Sequence, residues 1–535
     1  MSKKRPKPAP PVAAAPPRAW PRVGLILLLA LGLRVTALGW GIPSDQHFAF
    51  HPDEIAGVLT VRNLWQDPSH LATSAFANAK GAGFFYVEMA ALMAESKLGL
   101  VGNAENTFDD IHLARRVFLT MRGVTVAFSV GTALLVFLIG RRLFRPRVAE
   151  LAALLEAVSP ISVINAHYIK IDCAESFWVM LVLYFTARSL ADRRWTLAAV
   201  FASGVAAAFK YPGGSAILFP LAAALLSRED RGQRLKLLAV ALPLFAVGFF
   251  ICFPSALLNG LSLLQGMGKA AGIAYSGSPL SPLWFIVSYP VRLMQGVGVV
   301  LPAWALAAAG WAAWRRSREG LLILGWLVPY YAVMASSAVV LVRYAVPMMP
   351  ACALLMSGLV FGLAELKPAW AKSGGLKAGT AAAVVLILAV TLVHLRTMSR
   401  PDPRDLAGQW VQDHIPPGGA VAVTPTHRED ESFIVAVNPN VYRVTTLPLR
   451  PDNDVSGYLD RNFKYLATNE KAWLLPETRH PSQRAFWVQV SDPRRWELVA
   501  RFSNRPVWPG VLLRGTMPED MYYLYQETRI YRRRG

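Results

Sequence analysis

From about residue 23 to about residue 395 the chain repeats one pattern: an apolar run, a short turn carrying Arg or Lys, then another apolar run. Most runs approach the roughly 18 residues a helix needs to cross the hydrocarbon core of a bilayer. Eleven spans are expected, near Val23–Ile42, Val117–Ile139, Val148–Asn165, Ala174–Ala187, Trp195–Phe209, Ser215–Leu226, Leu237–Pro254, Gln295–Trp314, Leu321–Ser337, Val339–Leu359 and Thr380–Leu395. Two of them, Trp195–Phe209 and Ser215–Leu226, are short and flank Lys210-Tyr211-Pro212-Gly213-Gly214, which suggests helices broken around a cavity. The expected fold class is a polytopic α-helical membrane protein with a C-terminal extracytoplasmic α/β domain.

Basic residues set the polarity. Lys3, Lys4, Arg5, Lys7 and Arg18 precede the first span, and Arg141, Arg142, Arg145 and Arg147 follow the second without an intervening acid. Under the positive-inside rule these ends face the cytoplasm. Residues 1–21 then form a disordered, Pro/Ala-rich cytoplasmic tail, residues 22–395 the membrane domain, and residues 396–535 an outer domain. Two outer loops stand out. Residues 43–116 hold two helical stretches, Glu54–Trp65 and Phe84–Leu98; residues 255–283 are Gly/Ser-rich and read as a lid or a plain connector. Trp284–Leu293 reads as interfacial, and Arg34 inside the first span either snorkels or faces the bundle interior. In the tail, Asp405–Ile415 reads as helix, and Ala420–Thr424, Phe433–Val437, Arg443–Leu447, Ala485–Val490, Trp496–Phe502 and Val511–Arg514 as strands.

Composition agrees. Hydrophobic residues make up 54% and charged residues only 17%, against about 25% charged in soluble domains. The net charge of +21 would suggest nucleic acid in a soluble protein, but here it sits in the turns between apolar runs, so no nucleic-acid partner is expected. Cys173, Cys252 and Cys352 are scattered, which supports neither a disulfide framework nor a thiolate metal site.

Against this apolar background the outer charged residues carry the chemistry. Phe50-His51-Pro52-Asp53-Glu54 follows the first span, with Pro52 suited to open a helix and two acids in its first turn. Lys80, Lys170, Asp172, Lys210, Lys269 and Arg343, with Tyr344 beside it, fall on the same side. A carboxylate can take the proton of an attacking hydroxyl, and Lys or Arg can absorb the charge of a leaving phosphate. Asp53 is the candidate base, with Glu54 and Asp172 as further catalytic acids. Lys210, Arg343, Tyr344, Lys170, Lys80 and Lys269 are the candidates for phosphate or substrate. Lys170 and Asp172 could instead pair with each other and fix their turn. His51 and Glu54 are candidates for a divalent metal ion, which the spacing leaves open.

In order and sidedness, HPDE at 51–54, HYIKIDCAES at 167–176, AFKYPGG at 208–214 and RYAVPMMP at 343–350 resemble the GT-C membrane glycosyltransferases, in particular the protein O-mannosyltransferase and aminoarabinose-transferase group. The likeness covers roughly residues 22–395. It implies a GT-C fold and an inverting transfer of a sugar from a polyprenyl-phosphate carrier to a lipid, glycan or protein acceptor outside the membrane. It also implies Asp53 as general base, Asp172 as a second acid, and Arg343 and Lys210 near the lipid phosphate. The span 255–283 is too short for the β-trefoil that many protein mannosylating members carry. The expectation is therefore a monomeric enzyme of cell-envelope glycosylation in a bacterial inner membrane, with its site and C-terminal domain in the periplasm and membrane lipids around it. A flippase of lipid-linked sugars, a polymerase or ligase using the same carriers, and a membrane receptor are the competing readings.

Overall fold

The computed structural model describes residues 19–45, 47–70, 74–106, 110–226, 231–274, 281–337, 341–366, 374–424, 435–447, 455–469, 481–504, 518–521 and 523–534. The expected tail helix and most strands fall within them; the strand at 511–514, part of that at 433–437 and most of the N-terminal tail lie outside. In chain order the helices are α1 Ala19–Val35, α2 Pro52–Gln66, α3 Ala75–Lys80, α4 Gly83–Lys97, α5 Ile111–Leu143, α6 Pro146–Val158, α7 Pro160–Asn165, α8 Ile171–Ser189 and α9 Arg194–Phe209. A 3₁₀ turn at Tyr211–Ile217 leads to α10 Leu218–Leu226 and α11 Arg231–Cys252, then a single turn and α12 Gly260–Ala274. α13 Ser281–Val297, α14 Val300–Arg315, α15 Arg318–Ala335, α16 Met348–Glu365 and α17 Gly375–Met398 complete the bundle, with a 3₁₀ turn at Val342–Ala345 before α16.

Four helical stretches among the described residues are long and apolar enough to cross a membrane: Ile111–Leu143, Leu235–Cys252, Met348–Glu365 and Gly375–His414. The chain is thus polytopic, but four is fewer than the eleven spans expected. Of the other expected spans, α8 and α15 are 19 and 18 residues long but carry charged residues, Asp172, Glu175 and Arg188 in α8 and Arg318 and Glu319 in α15, and the rest are shorter helices. Ser159 takes the extended conformation before Pro160, dividing the expected span Val148–Asn165 into α6 and α7. The break expected around Lys210–Gly214 is present as the 3₁₀ turn between α9 and α10.

Arg34 faces the bundle interior. Its guanidinium donates to Ser129 Oγ at 2.7 Å, Ala157 O at 2.9 Å and Ala30 O at 3.1 Å, and Glu156 lies 3.8 Å away. A charge withdrawn from water needs such complete satisfaction. It ties α1 to α5 and α6. Elsewhere small residues let helices touch through their backbones. A Cβ on Gly204 of α9 would lie 2.0 Å from Phe245 O, and one on Gly248 of α11 would lie 2.3 Å from Phe201 O. This close crossing is the membrane use of small residues at helix interfaces.

The region 255–283, expected as an irregular loop, contains α12, which packs on α3: Asn78 Nδ2 donates to Ser262 Oγ at 2.8 Å. Trp284–Leu293 is part of the longer helix α13. In the tail, α18 Pro403–His414 precedes a five-stranded sheet of β1 Ala420–Val423, β2 Arg443–Thr446, β3 Tyr465–Asn469, β4 Trp496–Ser503 and β5 Glu527–Arg533, in the order β2-β1-β3-β5-β4. β1 is parallel to β2 and β3; β5 is antiparallel to β3 and β4. α19 Ser456–Asn462 precedes β3, and α20 Pro481–Ser491 lies between β3 and β4. Ala485–Val490 is therefore helix rather than the expected strand; a short apolar run is ambiguous between the two, and Pro481 opens a helix here. β3 and β5 were not expected: β5 carries Arg529, paired with Glu527 on the same strand, and Arg532, paired with Glu497 on β4.

Gly204→Leu should lower the thermal unfolding temperature in detergent strongly, since the clash is with backbone and exceeds the usual cost of overpacking, about 1–3 kcal/mol. Gly123→Leu, whose Cβ meets nothing within 4 Å, should leave it unchanged or slightly higher.

Candidate active site

His51 caps α2: its Nδ1 accepts from Asp53 N at 3.2 Å, and Pro52 occupies the first turn. Successive residues on a helix diverge by about 100°, so the two adjacent acids go to different places. Glu54 turns inward, where its carboxylate accepts both from Arg122 Nε at 2.8 Å and from Nη2 at 2.7 Å, and from Ile169 N at 3.0 Å. Both residues of that ion pair are fully buried. Asp53 turns toward three cations. Lys80 Nζ donates to its Oδ1 at 2.9 Å, while Lys170 Nζ at 2.6 Å and Arg343 Nη1 at 2.7 Å share Oδ2.

Each cation is delivered by a distinct piece of backbone. Lys80 ends α3, and Gly81 after it has φ +111°, with Ala208 O and Phe209 O 2.8 Å from where its Cβ would be. Only glycine allows this approach of the first loop to the end of α9. Lys80 also lies 4.1 Å above the Phe76 ring. Lys170 sits at the N-cap of α8 with its side chain 3% exposed. Arg343 lies on the 3₁₀ turn before α16, and Asp520 from the C-terminal region holds that turn: its carboxylate accepts from Val342 N at 3.1 Å and Arg343 N at 2.8 Å. Tyr523 packs on His51 with ring centroids 4.2 Å apart.

A second charged group adjoins the first. Lys210, just before the 3₁₀ turn, donates to Asp172 Oδ1 at 3.0 Å and Glu175 Oε2 at 2.8 Å, and Tyr330 Oη donates to Glu175 Oε1 at 2.9 Å. Tyr344 lies beside it, its ring 5.8 Å from Lys210 Nζ. Lys170 and Asp172 thus form these ion pairs with Asp53 and Lys210, rather than the mutual pair considered from sequence. Lys269 is exposed on α12 and, among the described residues, makes no ion pair, so it is not brought to this cluster.

Electrostatics follow from burial and neighbours. Burial pushes the Asp53 carboxyl up, but Lys170, Lys80 and Arg343 outweigh it and hold it well below the usual carboxylate range. Burial, then Lys170, keeps the His51 imidazole neutral near pH 7 by lowering it well below its ordinary value. Burial, with Arg343 adding to it, lowers Lys170 to about 8. Burial raises Asp520.

The residues do not suit a divalent ion. Glu54 has both oxygens engaged by Arg122, His51 Nδ1 is engaged by Asp53 N, and the three cations on Asp53 would repel another. Among the described residues no group of three His, Cys, Asp or Glu side chains forms a metal cage. What the arrangement can do is hold an anion with Lys80, Lys170 and Arg343 beside an ionised carboxylate. An apolar groove of about 200 Å³ between α13, α14, α15 and α16, lined by Leu301, Leu327, Tyr331, Met348 and Met349, reaches Ala345 on the Arg343 turn.

Sequence reasoning missed Arg122, Glu175, Asp520 and Tyr523. Glu175 had a signal, since it lies three residues after Asp172 and so on the same helical face. Asp520 and Tyr523 had none, because they are remote in sequence from everything they touch.

Glu54→Gln should destabilise the protein by roughly 3–5 kcal/mol, because it strands the buried Arg122 charge. Asp53→Asn should destabilise less, because the Asp53, Lys80 and Arg343 side chains are 23%, 28% and 19% exposed and water can hydrate the charges left behind. The reverse order of unfolding temperatures would exchange the two assignments.

Comparison with known proteins bears on the fold. The family model for dolichyl-phosphate-mannose-protein mannosyltransferase matches residues 112–257. No curated protein matches the chain by sequence. Among solved structures, apo ArnT from Cupriavidus metallidurans is 16% identical with a TM-score of 0.52, covering 96% of this chain and 98% of that one. Archaeal oligosaccharyltransferase AglB from Archaeoglobus fulgidus, in complex with an inhibitory peptide and a dolichol-phosphate, is 13% identical with a TM-score of 0.51, covering 85% of this chain and 69% of that one. The likeness is one of fold: the chain is a multi-pass membrane protein that resembles the GT-C membrane glycosyltransferases, as the four motifs implied.

Proposed function

We propose that the chain is an inverting glycosyltransferase that moves a sugar from a polyprenyl-phosphate carrier to a hydroxyl acceptor at the outer membrane face. The observation that carries this reading is one carboxylate, Asp53, held by three cations beside an apolar groove. The groove suits a prenyl tail, the cations suit its phosphate, and the carboxylate suits the attacking hydroxyl. The dolichol-phosphate bound in the AglB structure supports the same ligand chemistry.

In this mechanism the incoming phosphate draws Lys170 and Arg343 away from Asp53 Oδ2. A carboxylate held by three cations is a weak base, so capture of the donor raises its basicity when it is needed. The acceptor oxygen then attacks the anomeric carbon and its proton passes to Asp53. The bond from that carbon to the phosphate oxygen breaks, and its electron pair leaves with the phosphate, stabilised by Lys170 and Arg343. Asp172 and Glu175 keep Lys210 oriented at the edge of the site, and Tyr344 lines it. In the same reading the chain lies in a bacterial inner membrane, with residues 1–21 cytoplasmic and the site and residues 396–535 periplasmic, as the basic turns support.

Purified protein offered a panel of polyprenyl-phosphate sugars should release sugar and form a conjugate, and Asp53→Asn should lower turnover by about 10²–10⁴-fold while retaining donor binding. Equal turnover in the variant would end the base assignment, and flipping without sugar release would favour a transporter.

The pH dependence has a definite sign. Lys170 is protonated below about 8 and loses its charge as pH rises through that value, so the donor KM should rise on the alkaline side. Lys170→Arg, which keeps its charge, should move that rise to higher pH; an unchanged alkaline limb in the variant would remove Lys170 from phosphate capture.

A further inference from the structure

The opposite end of the bundle holds a second basic site with no part in this chemistry. α8 starts at the Asp53 cluster and runs 19 residues to Ser189, a rise of about 28 Å. α9 returns from there to Lys210, so the α8–α9 turn lies at the far membrane face. There an open cavity of about 540 Å³ lies between that turn and helices α10, α11 and α15. Its basic groups come from three places remote in sequence: Arg193 in the turn, Lys236 on α11 and Arg318 at the start of α15. All three are exposed. Among the described residues no carboxylate lines the cavity. Asp192, next to Arg193, accepts from Arg194 N at 3.1 Å.

The remaining wall is apolar. Leu197, Leu237 and Val240 line the cavity, and Leu197 and Val240 are 49% and 47% exposed. Alongside, the Arg188 guanidinium lies 3.4 Å from the Trp195 ring, which fixes the start of α9 at interface depth. A soluble anion would use the cations and leave these side chains idle. A phospholipid uses both, its phosphate among the cations and its chains along the leucine and valine side chains. Basic cavities between membrane helices have this complementarity to anionic headgroups.

We infer that the cavity bounded by Arg193, Lys236 and Arg318 is a binding site for an anionic phospholipid headgroup in the leaflet opposite the Asp53 cluster. It goes beyond the proposed transfer reaction and does not depend on it, because the test reads lipid binding rather than turnover.

The full-length protein, purified in mild detergent, is titrated with phosphatidylglycerol and bound lipid is counted by native mass spectrometry. Wild type should retain one phosphatidylglycerol more tightly than phosphatidylcholine. Lys236→Gln/Arg318→Gln should weaken that binding about tenfold or more, since each basic side chain near a membrane surface contributes on the order of 1 kcal/mol. Arg147→Gln, which removes one charge at the same end but outside the cavity, should not. Equal loss in Arg147→Gln, retained binding in the double variant, or no preference over phosphatidylcholine would each overturn the site in favour of diffuse surface attraction. Displacement by millimolar inorganic phosphate would overturn the lipid assignment in favour of a small anion. Because all arms use the folded, purified chain, a variant that unfolds is identified by its charge-state envelope. The single variants Lys236→Gln and Arg318→Gln, each expected to weaken binding by a smaller factor, then decide the question.

Discussion

A charge taken out of water must be matched on every side, and the buried Glu54–Arg122 pair shows how much structure that requirement can organise. Arg122 on α5 holds the Glu54 carboxylate with two nitrogens and donates to Leu38 O at 2.6 Å and Trp40 O at 2.7 Å beyond α1. Glu54 also takes the amide of Ile169. One ion pair therefore joins the exit from α1, the start of α2, the middle of α5 and the approach to α8. Removing either partner would leave a bare charge in an apolar interior, which is why the four segments have little freedom to separate.

Asp53 inherits its position from that lock. With Glu54 pinned inward, the neighbouring carboxylate has to face the cavity where Lys80, Lys170 and Arg343 converge. The supports around it are backbone devices: a positive-φ glycine after Lys80, a helix start at Lys170, a 3₁₀ turn at Arg343. The C-terminal domain completes the arrangement. Asp520 fixes the Arg343 turn, Arg404 lies 3.6 Å from the Phe50 ring, and Tyr525 hydrogen-bonds to His394 of α17. The C-terminal domain thus contributes to the wall around the Asp53 cluster as well as packing on the bundle.

The first loop illustrates what a local reading can reach. Pro52 followed by two acids correctly marks a helix start, and Lys80, Lys170 and Arg343 were legible as candidates on one face because the alternation of apolar runs and basic turns puts them at the same end of the bundle. The lengths of the spans were less legible. Hydropathy counts apolar residues, but Pro160 and the Gly/Pro turn after Lys210 decide where the hydrogen-bond ladder stops. In the tail, strands with alternating apolar residues were visible, whereas β5 carries arginines that pair with Glu497 on the neighbouring strand and with Glu527 on β5 itself.

By itself the sequence determined the membrane class, the resemblance in fold and the set of charged residues near one face, because these depend on composition, periodicity and order along the chain. Tertiary structure alone decided the roles of neighbours. It separated Asp53 from Glu54, paired Asp172 with Lys210 rather than Lys170, left Lys269 outside and brought in Asp520. The physical reason is that ion pairs form between atoms about 3 Å apart, and a chain that crosses a membrane repeatedly brings such atoms together from residues hundreds of positions apart.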